Sequence, residues 1–179
     1  MTARHVGGIV LLITVAAACR SVSSGASGAR SATAEMRSAS GVRYGTLTLE
    51  RSVAGVRIDG ALTGVPPGVH GIHFHQVGQC EPLDFASAGA HMNPTGAQHG
   101  LENPRGPHAG DLPNLFANAA GQMVVDIASP RVTLTSDQPS GLFDADGTAL
   151  VIHADADDQR TDPAGNSGPR IACGIVRPG

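Results

Sequence analysis

The 179-residue chain has no lysine and no tryptophan, and its aromatic residues are one Tyr and four Phe. All 12 basic residues are arginines, outnumbered by 15 acidic ones to leave a formal net charge of -3. That balance excludes a generally basic nucleic-acid binder, because neutralising phosphates takes clustered positive charge. An anionic substrate would therefore have to be drawn by a local field and not by the protein as a whole. With so few aromatics the core must be aliphatic, built from Val, Ile, Leu and Ala, and the 24 Gly and 12 Pro imply many turns. No helical period of useful length runs through the sequence. The longest apolar run, Val6 to Ala18, is too short for a comfortable membrane span. It follows Arg4 and His5 and ends in Ala16-Ala17-Ala18, so Met1 to Cys19 reads as an export signal.

What is there after the signal divides in two. Residues 20–31 are Ser, Ala, Gly and Arg with almost no bulky apolar side chain, the composition of a flexible tether. From residue 32 to 179 the chain is long enough for one domain with a sizeable core. Short strands are expected at Ala32 to Arg37, Gly41 to Arg51, Gly55 to Leu62, Val69 to Gln76, Leu115 to Ala117, Met123 to Ser129, Ala149 to Ala154 and Arg170 to Val176. Turn signals separate them, Gly64-Val65-Pro66-Pro67-Gly68 being the plainest, and repeated short strands of this kind argue for an all-β sandwich or barrel.

The densest chemistry lies between His70 and Asp111, where six of the eight histidines fall. Along Val69-His70-Gly71-Ile72-His73-Phe74-His75, strand alternation puts His73 and His75 on one face and Ile72 and Phe74 on the other. One face can coordinate while the other packs. His70 has the opposite parity, so it is expected to face inward and hydrogen-bond backbone near that strand. The following stretch, Gly78 to Gly110, has no apolar period, yet carries His91, His99 and His108 and is followed by Asp111. Neutral imidazoles and a carboxylate can wrap a tetrahedral cation, so the stretch reads as a loop folded around metal.

The segments His73-Phe74-His75, Gly89-Ala90-His91-Met92-Asn93-Pro94, Gln98-His99-Gly100, Pro107-His108-Ala109-Gly110-Asp111, His153-Ala154-Asp155-Ala156-Asp157 and Gly168-Pro169-Arg170-Ile171-Ala172-Cys173-Gly174 resemble the signature segments of copper/zinc superoxide dismutases, in order and with no ligand position substituted. The resemblance implies an eight-stranded Greek-key β-barrel or sandwich of immunoglobulin-like architecture. It implies one copper held by His73, His75, His91 and His153, and one zinc held by His91, His99, His108 and Asp111, with His91 as the shared imidazolate. Four nitrogens suit tetragonal copper, and three nitrogens plus a carboxylate suit closed, tetrahedral zinc. It further implies that Asp157 links His73 to His99, that Arg170 docks superoxide, and that His91 takes and returns a proton as copper cycles. A metal-buffering envelope protein without turnover is the alternative, and the retained copper quartet and Arg170 speak against it.

The resemblance also pairs Cys80 with Cys173, which leaves Cys19 unpaired behind the alanine triplet. A bacterial lipoprotein, exported to the periplasm or cell envelope and anchored through a lipid on Cys19, fits that position; ordinary cleavage that removes Cys19 is the alternative. Monomer and homodimer both remain open. Two stretches depart from the animal cytosolic enzymes: an insert, Glu81-Pro82-Leu83-Asp84-Phe85, and a shortened loop from Ala154 to Pro169 whose only cation is Arg160.

Overall fold

In the computed structural model, residues 1–2 and 28–179 are described. Residues 3–27, which hold the rest of the expected signal, Cys19 and the start of the expected tether, lie outside the described residues. The chain is already paired with the body at Gly28, which bridges Thr135, and the first strand starts at Ser31.

Among the described residues nine strands form: β1 (Ser31–Ser38), β2 (Arg43–Ser52), β3 (Gly55–Thr63), β4 (Gly68–His70), β5 (Ile72–His75), β6 (Leu115–Ala117), β7 (Gln122–Ser129), β8 (Ala149–His153) and β9 (Arg170–Pro178). They make one antiparallel sheet in the order β4-β6-β7-β3-β2-β1-β9-β8-β5. Its two end strands, β4 and β5, are consecutive in the chain with Gly71 alone between them. One histidine strand therefore pairs with β6 through its first half and with β8 through its second, and this closes the sheet into a barrel. Counted as one broken strand, it brings the nine to the expected eight. Closure also removes the open edges that would otherwise invite pairing with another chain.

Period-two patterning places the core. In β1, Ala32, Ala34 and Met36 point in while Thr33, Glu35 and Arg37 point out. Leu47 and Leu49 of β2, Val56, Ile58 and Leu62 of β3, and Met123 and Val125 of β7 fill the same interior. Ile72 and Phe74 of β5 join it, each fully buried, at roughly 1.5–3 kcal/mol per large apolar side chain. That packing fixes the register of β5 and so leaves His73 and His75 on its other face.

β8 is buried along its whole length, which alternation alone would not give. Leu150 and Ile152 face the barrel core, whereas Ala149 and Val151 meet Phe85, Ala88 and Cys173 in a second cluster under the loop that follows β5. The Cys80–Cys173 disulfide, joining residues 93 apart, ties that loop to β9. A cross-link of this span stabilises by up to about 4–5 kcal/mol on chain-entropy grounds. The segment between β7 and β8 showed no strand signal, and it forms no strand, yet Val132, Leu134 and Leu142 plug the barrel from it.

Candidate metal centre

His73, His75 and His153 are each oriented by a hydrogen bond on one ring nitrogen, which fixes which nitrogen is left bare. His73 donates from Nε2 to Asp157 Oδ2 at 2.7 Å, His75 from Nδ1 to the Gly89 carbonyl at 2.9 Å, and His153 from Nδ1 to the Gly168 carbonyl at 3.1 Å. The opposite nitrogens, His73 Nδ1, His75 Nε2 and His153 Nε2, have no hydrogen-bond partner although buried, and neither has His91 Nε2. One nitrogen from each of these four rings falls within 4.8 Å of the others. Around a tetragonal ion with bonds near ~2.0 Å, opposite ligands lie ~4 Å apart, so the set is of the right size.

The second group gathers on a carboxylate. Asp111 Oδ1 lies 3.2 Å from His91 Nδ1, 3.0 Å from His99 Nδ1 and 3.3 Å from His108 Nδ1. Those separations match the edge of a tetrahedron about a zinc with bonds of ~2.0 Å, roughly 3.3 Å. The other oxygen, Oδ2, accepts from the backbone N–H of Gly100 at 2.8 Å and of His108 at 2.9 Å, so the carboxylate cannot swing away. His73 also comes within 4.8 Å of this group. Its Nε2 is committed to Asp157, however, whereas His108 Nδ1 lies beside Asp111 Oδ1. His73 and His91 fall in both groups, and of the two His91 has Nδ1 beside Asp111 and Nε2 without a partner.

Asp157 joins the two halves. Its carboxylate accepts from His73 Nε2 at 2.7 Å and from His99 Nε2 at 3.0 Å, which leaves Nδ1 of both rings free to ligate. Gly165 makes room for it: this residue has φ of 61°, and a Cβ there would fall 1.8 Å from Asp157 Oδ1. His70 lies outside both groups, its Nδ1 2.8 Å from the His153 carbonyl oxygen and its Nε2 2.8 Å from that of Pro66. It braces the backbone that carries His153.

Electrostatics favour ligation at the four-histidine group. Burial pushes His73 down to about 3 and His153 to about 4, holds His75 well below the usual imidazole range, and lowers His91 as well. These rings are neutral at physiological pH, with lone pairs available. Burial would lower His99 too, but hydrogen bonds to Asp111 and Asp157 outweigh it and raise it to about 9. Hydrogen bonds from His91 and His99 at Asp111, and from His73 and His99 at Asp157, overcome burial and hold both below the usual carboxylate range.

Arg170 stands at an open hollow of about 540 Å³ that it lines with Leu83, Asp84, Gly89 and Pro169. Its guanidinium donates to the carbonyls of Phe85 at 2.6 Å and Gly89 at 2.7 Å. The insert thus serves as a rest for the arginine, and the disulfide holds that insert in place. Arg160, by contrast, is paired with Glu102 at 2.6 Å on the surface and has little charge left for steering.

Three residues that sequence reasoning missed support the site. Asn114 clamps the backbone of Asp157, donating to its carbonyl at 2.8 Å and accepting from its N–H at 2.9 Å. Arg131 reaches from the barrel plug to donate to the Asp111 carbonyl at 2.5 Å. Gly165 is the third. None carries a local pattern of its own, because each acts on a partner at least 8 positions away (165 minus 157).

Comparison with known proteins agrees with this geometry. Residues 43–176 match the family model described as copper/zinc superoxide dismutase. The chain is 45% identical over 145 residues to a superoxide dismutase [Cu-Zn] of Aquifex aeolicus, covering 80% of this chain and 85% of that protein. Among solved structures it resembles a SOD-like protein from Bacillus subtilis, at 38% identity and TM-score 0.77 over 80% of this chain and 96% of the other. It also resembles the Cu/Zn superoxide dismutase from Brucella abortus, at 27% identity and TM-score 0.67 over 82% and 99%. With the match running from β2 into β9 and over both ligand groups, the chain belongs to the copper/zinc superoxide dismutase family.

Proposed function

We propose that this protein dismutes superoxide to dioxygen and hydrogen peroxide with one copper and one zinc per chain. The observation that carries the reading is the set of buried ring nitrogens, which divides into a four-nitrogen group and a carboxylate-centred group; His73 and His91 fall in both, and His91 has Nδ1 beside Asp111 and Nε2 without a partner. Copper would be held by His73, His75, His91 and His153, and zinc by His91, His99, His108 and Asp111. Bound copper would supply the one-electron couple that oxidises one superoxide and reduces the next.

The chain's own residues do the rest. Arg170, anchored by two carbonyls, presents a fixed positive charge and docks the anion through its remaining N–H groups. His91 Nε2 is the natural place to hold a proton between half-reactions, since Asp111 keeps Nδ1 on the carboxylate side. Asp157 sets the tautomers of His73 and His99 together, so the two ligand groups assume their geometry as a unit. We place the protein in the cell envelope of a bacterium, exported by its N-terminal segment and lipid-anchored on Cys19; intact-mass measurement on membrane-extracted protein tests this, and soluble material that begins after Ala18 with a free thiol refutes it.

The similarity to a SOD-like protein gives the metal-buffering reading its one foothold. Metal content and turnover measured on one sample separate the two. One copper and one zinc with dismutation support the proposal, whereas zinc alone without turnover moves the function to buffering.

A further inference from the structure

We infer that Gln159 is a positioning residue that clasps the loop carrying the zinc ligands to the loop carrying Asp157, and so governs how tightly zinc is retained. The inference rests on the metal assignment above and extends it to a residue with no part in ligation.

Gln159 is the point where three segments converge. Its backbone N–H donates to Asp157 Oδ1 at 2.6 Å, the same carboxylate that orients His99. Its carbonyl accepts from the N–H of Glu102 at 3.0 Å, three residues past His99. Its side-chain Oε1 accepts from the N–H of Leu101 at 3.4 Å, and its Nε2 donates to the carbonyl of Leu112, the residue after Asp111, at 3.2 Å. The zinc-ligand loop is thus gripped at both ends, near His99 and near Asp111, from one residue on the opposing loop.

Two features show that the sequence accommodates this contact against local preference. Gln159 has φ of 60°, in the left-handed region that a long side chain seldom occupies and that the surrounding structure must enforce. Opposite it stands Gly100, where a Cβ would fall 2.1 Å from the Gln159 carbonyl oxygen. The loops are also linked by Asp162 Oδ1, which accepts from the His99 N–H at 2.7 Å, by Asn103 Nδ2, which donates to the Arg160 carbonyl at 3.0 Å, and by the Arg160–Glu102 ion pair, whose side chains are 70% and 57% exposed. Such a pair contributes little. Asn114 holds only the backbone of Asp157. Gln159 differs from these in bonding at once to the Asp157 carboxylate, to the segment after His99 and to the residue after Asp111.

Gln159→Gly removes both side-chain bonds while relieving the left-handed backbone, so its effects on the metal-free fold oppose one another. The metal-loaded variant and wild type are challenged with a zinc chelator, and cobalt is placed in the zinc position to read ligand geometry from its visible absorption. Zinc release should be faster by about tenfold or more, the scale on which groups that orient metal ligands act. The cobalt spectrum should shift, while the unfolding midpoint of the metal-free protein stays at the wild-type value. Gln159→Asn, which tolerates the left-handed conformation with a shorter reach, should be intermediate, and it serves as the test if the glycine variant does not fold. Unchanged zinc release and an unchanged cobalt spectrum overturn the inference, as does a lowered metal-free midpoint with wild-type zinc release, which would make Gln159 merely structural. A wild type that takes up no zinc sinks the proposed function and this inference with it.

Discussion

Replacing Arg170 isolates the charge that receives the substrate. Its guanidinium has five N–H donors, of which two are held by the Phe85 and Gly89 carbonyls, leaving three for an anion. At a separation of ~5 Å and an effective dielectric between ~20 and ~80, a unit anion gains about 0.8 to 3.3 kcal/mol from that charge. A charge-assisted hydrogen bond gives a similar range, about 1.5 to 3 kcal/mol. Arg170→Ala should therefore slow dismutation roughly ten- to a hundredfold at low ionic strength. The loss should shrink as salt rises, because screening removes the same attraction in the wild type, with a Debye length near ~3 Å at 1 M against ~30 Å at 0.01 M. Since Arg160 is neutralised by Glu102, no nearby cation on that loop compensates. The truncation also strips the two carbonyls of their donor, so the loop could shift; Arg170→Lys restores charge without the fork and should recover part of the rate. Stopped-flow kinetics on samples with both metals confirmed by elemental analysis decide it. Fully loaded Arg170→Ala with wild-type rate at low salt would refute the role assigned to Arg170.

Asp84 lines the same hollow as Arg170 and opposes its charge, so Asp84→Asn should raise the low-salt rate about two- to threefold, roughly 0.4 to 0.7 kcal/mol, with the gain lost at high salt. Asparagine keeps the oxygen that accepts from the Ala86 N–H, so the turn survives, and an unchanged or lower rate counts against the steering argument. The metal-free protein should be most stable near neutral pH. His73 near 3, His153 near 4, and the lowered His75 and His91 are neutral when folded but take up protons when unfolded below 6.5, so stability falls as pH drops from about 6.5 toward 4, each group contributing up to about 1.4 kcal/mol per pH unit. His99, raised to about 9, works the other way: its contribution is complete below 6.5 and is lost as pH rises through 9. Urea midpoints of the metal-free protein at pH 4.5, 6.5 and 8.5 should show a steeper acid side than alkaline side, and a flat profile contradicts the assigned ring environments.

The sequence was most legible where chemistry sits on a regular element. His73 and His75 could be assigned to one face because β5 alternates, and the core residues Ile72 and Phe74 occupy the opposite face as that period demands. The strands flanking the core were legible for the same reason, to within a residue or two at their ends. Ligands in the loop are different: the accumulation of His91, His99, His108 and Asp111 pointed to a loop folded around metal, but only the resemblance to a family divided the histidines between two ions. The backbone that holds them explains why. Phe74 donates to the Gly110 carbonyl, Met92 to that of Phe74, and Gly110 to that of Met92, so the loop is stitched to β5 by main-chain bonds that leave no side-chain signature. Asn114, Arg131, Gln159 and Gly165 were silent for a related reason, since each reads as a surface or turn residue until its partner across the fold is known. The break at Gly71 was hidden by the continuity of the histidine strand, yet it is this break that lets one strand pair on both sides and close the barrel beneath the site. The ligand set is thus built from one element whose face is fixed by packing and one loop whose shape is fixed by that element, which is why Phe74→Ala should loosen the metal centre as well as cost the barrel about 3 to 5 kcal/mol.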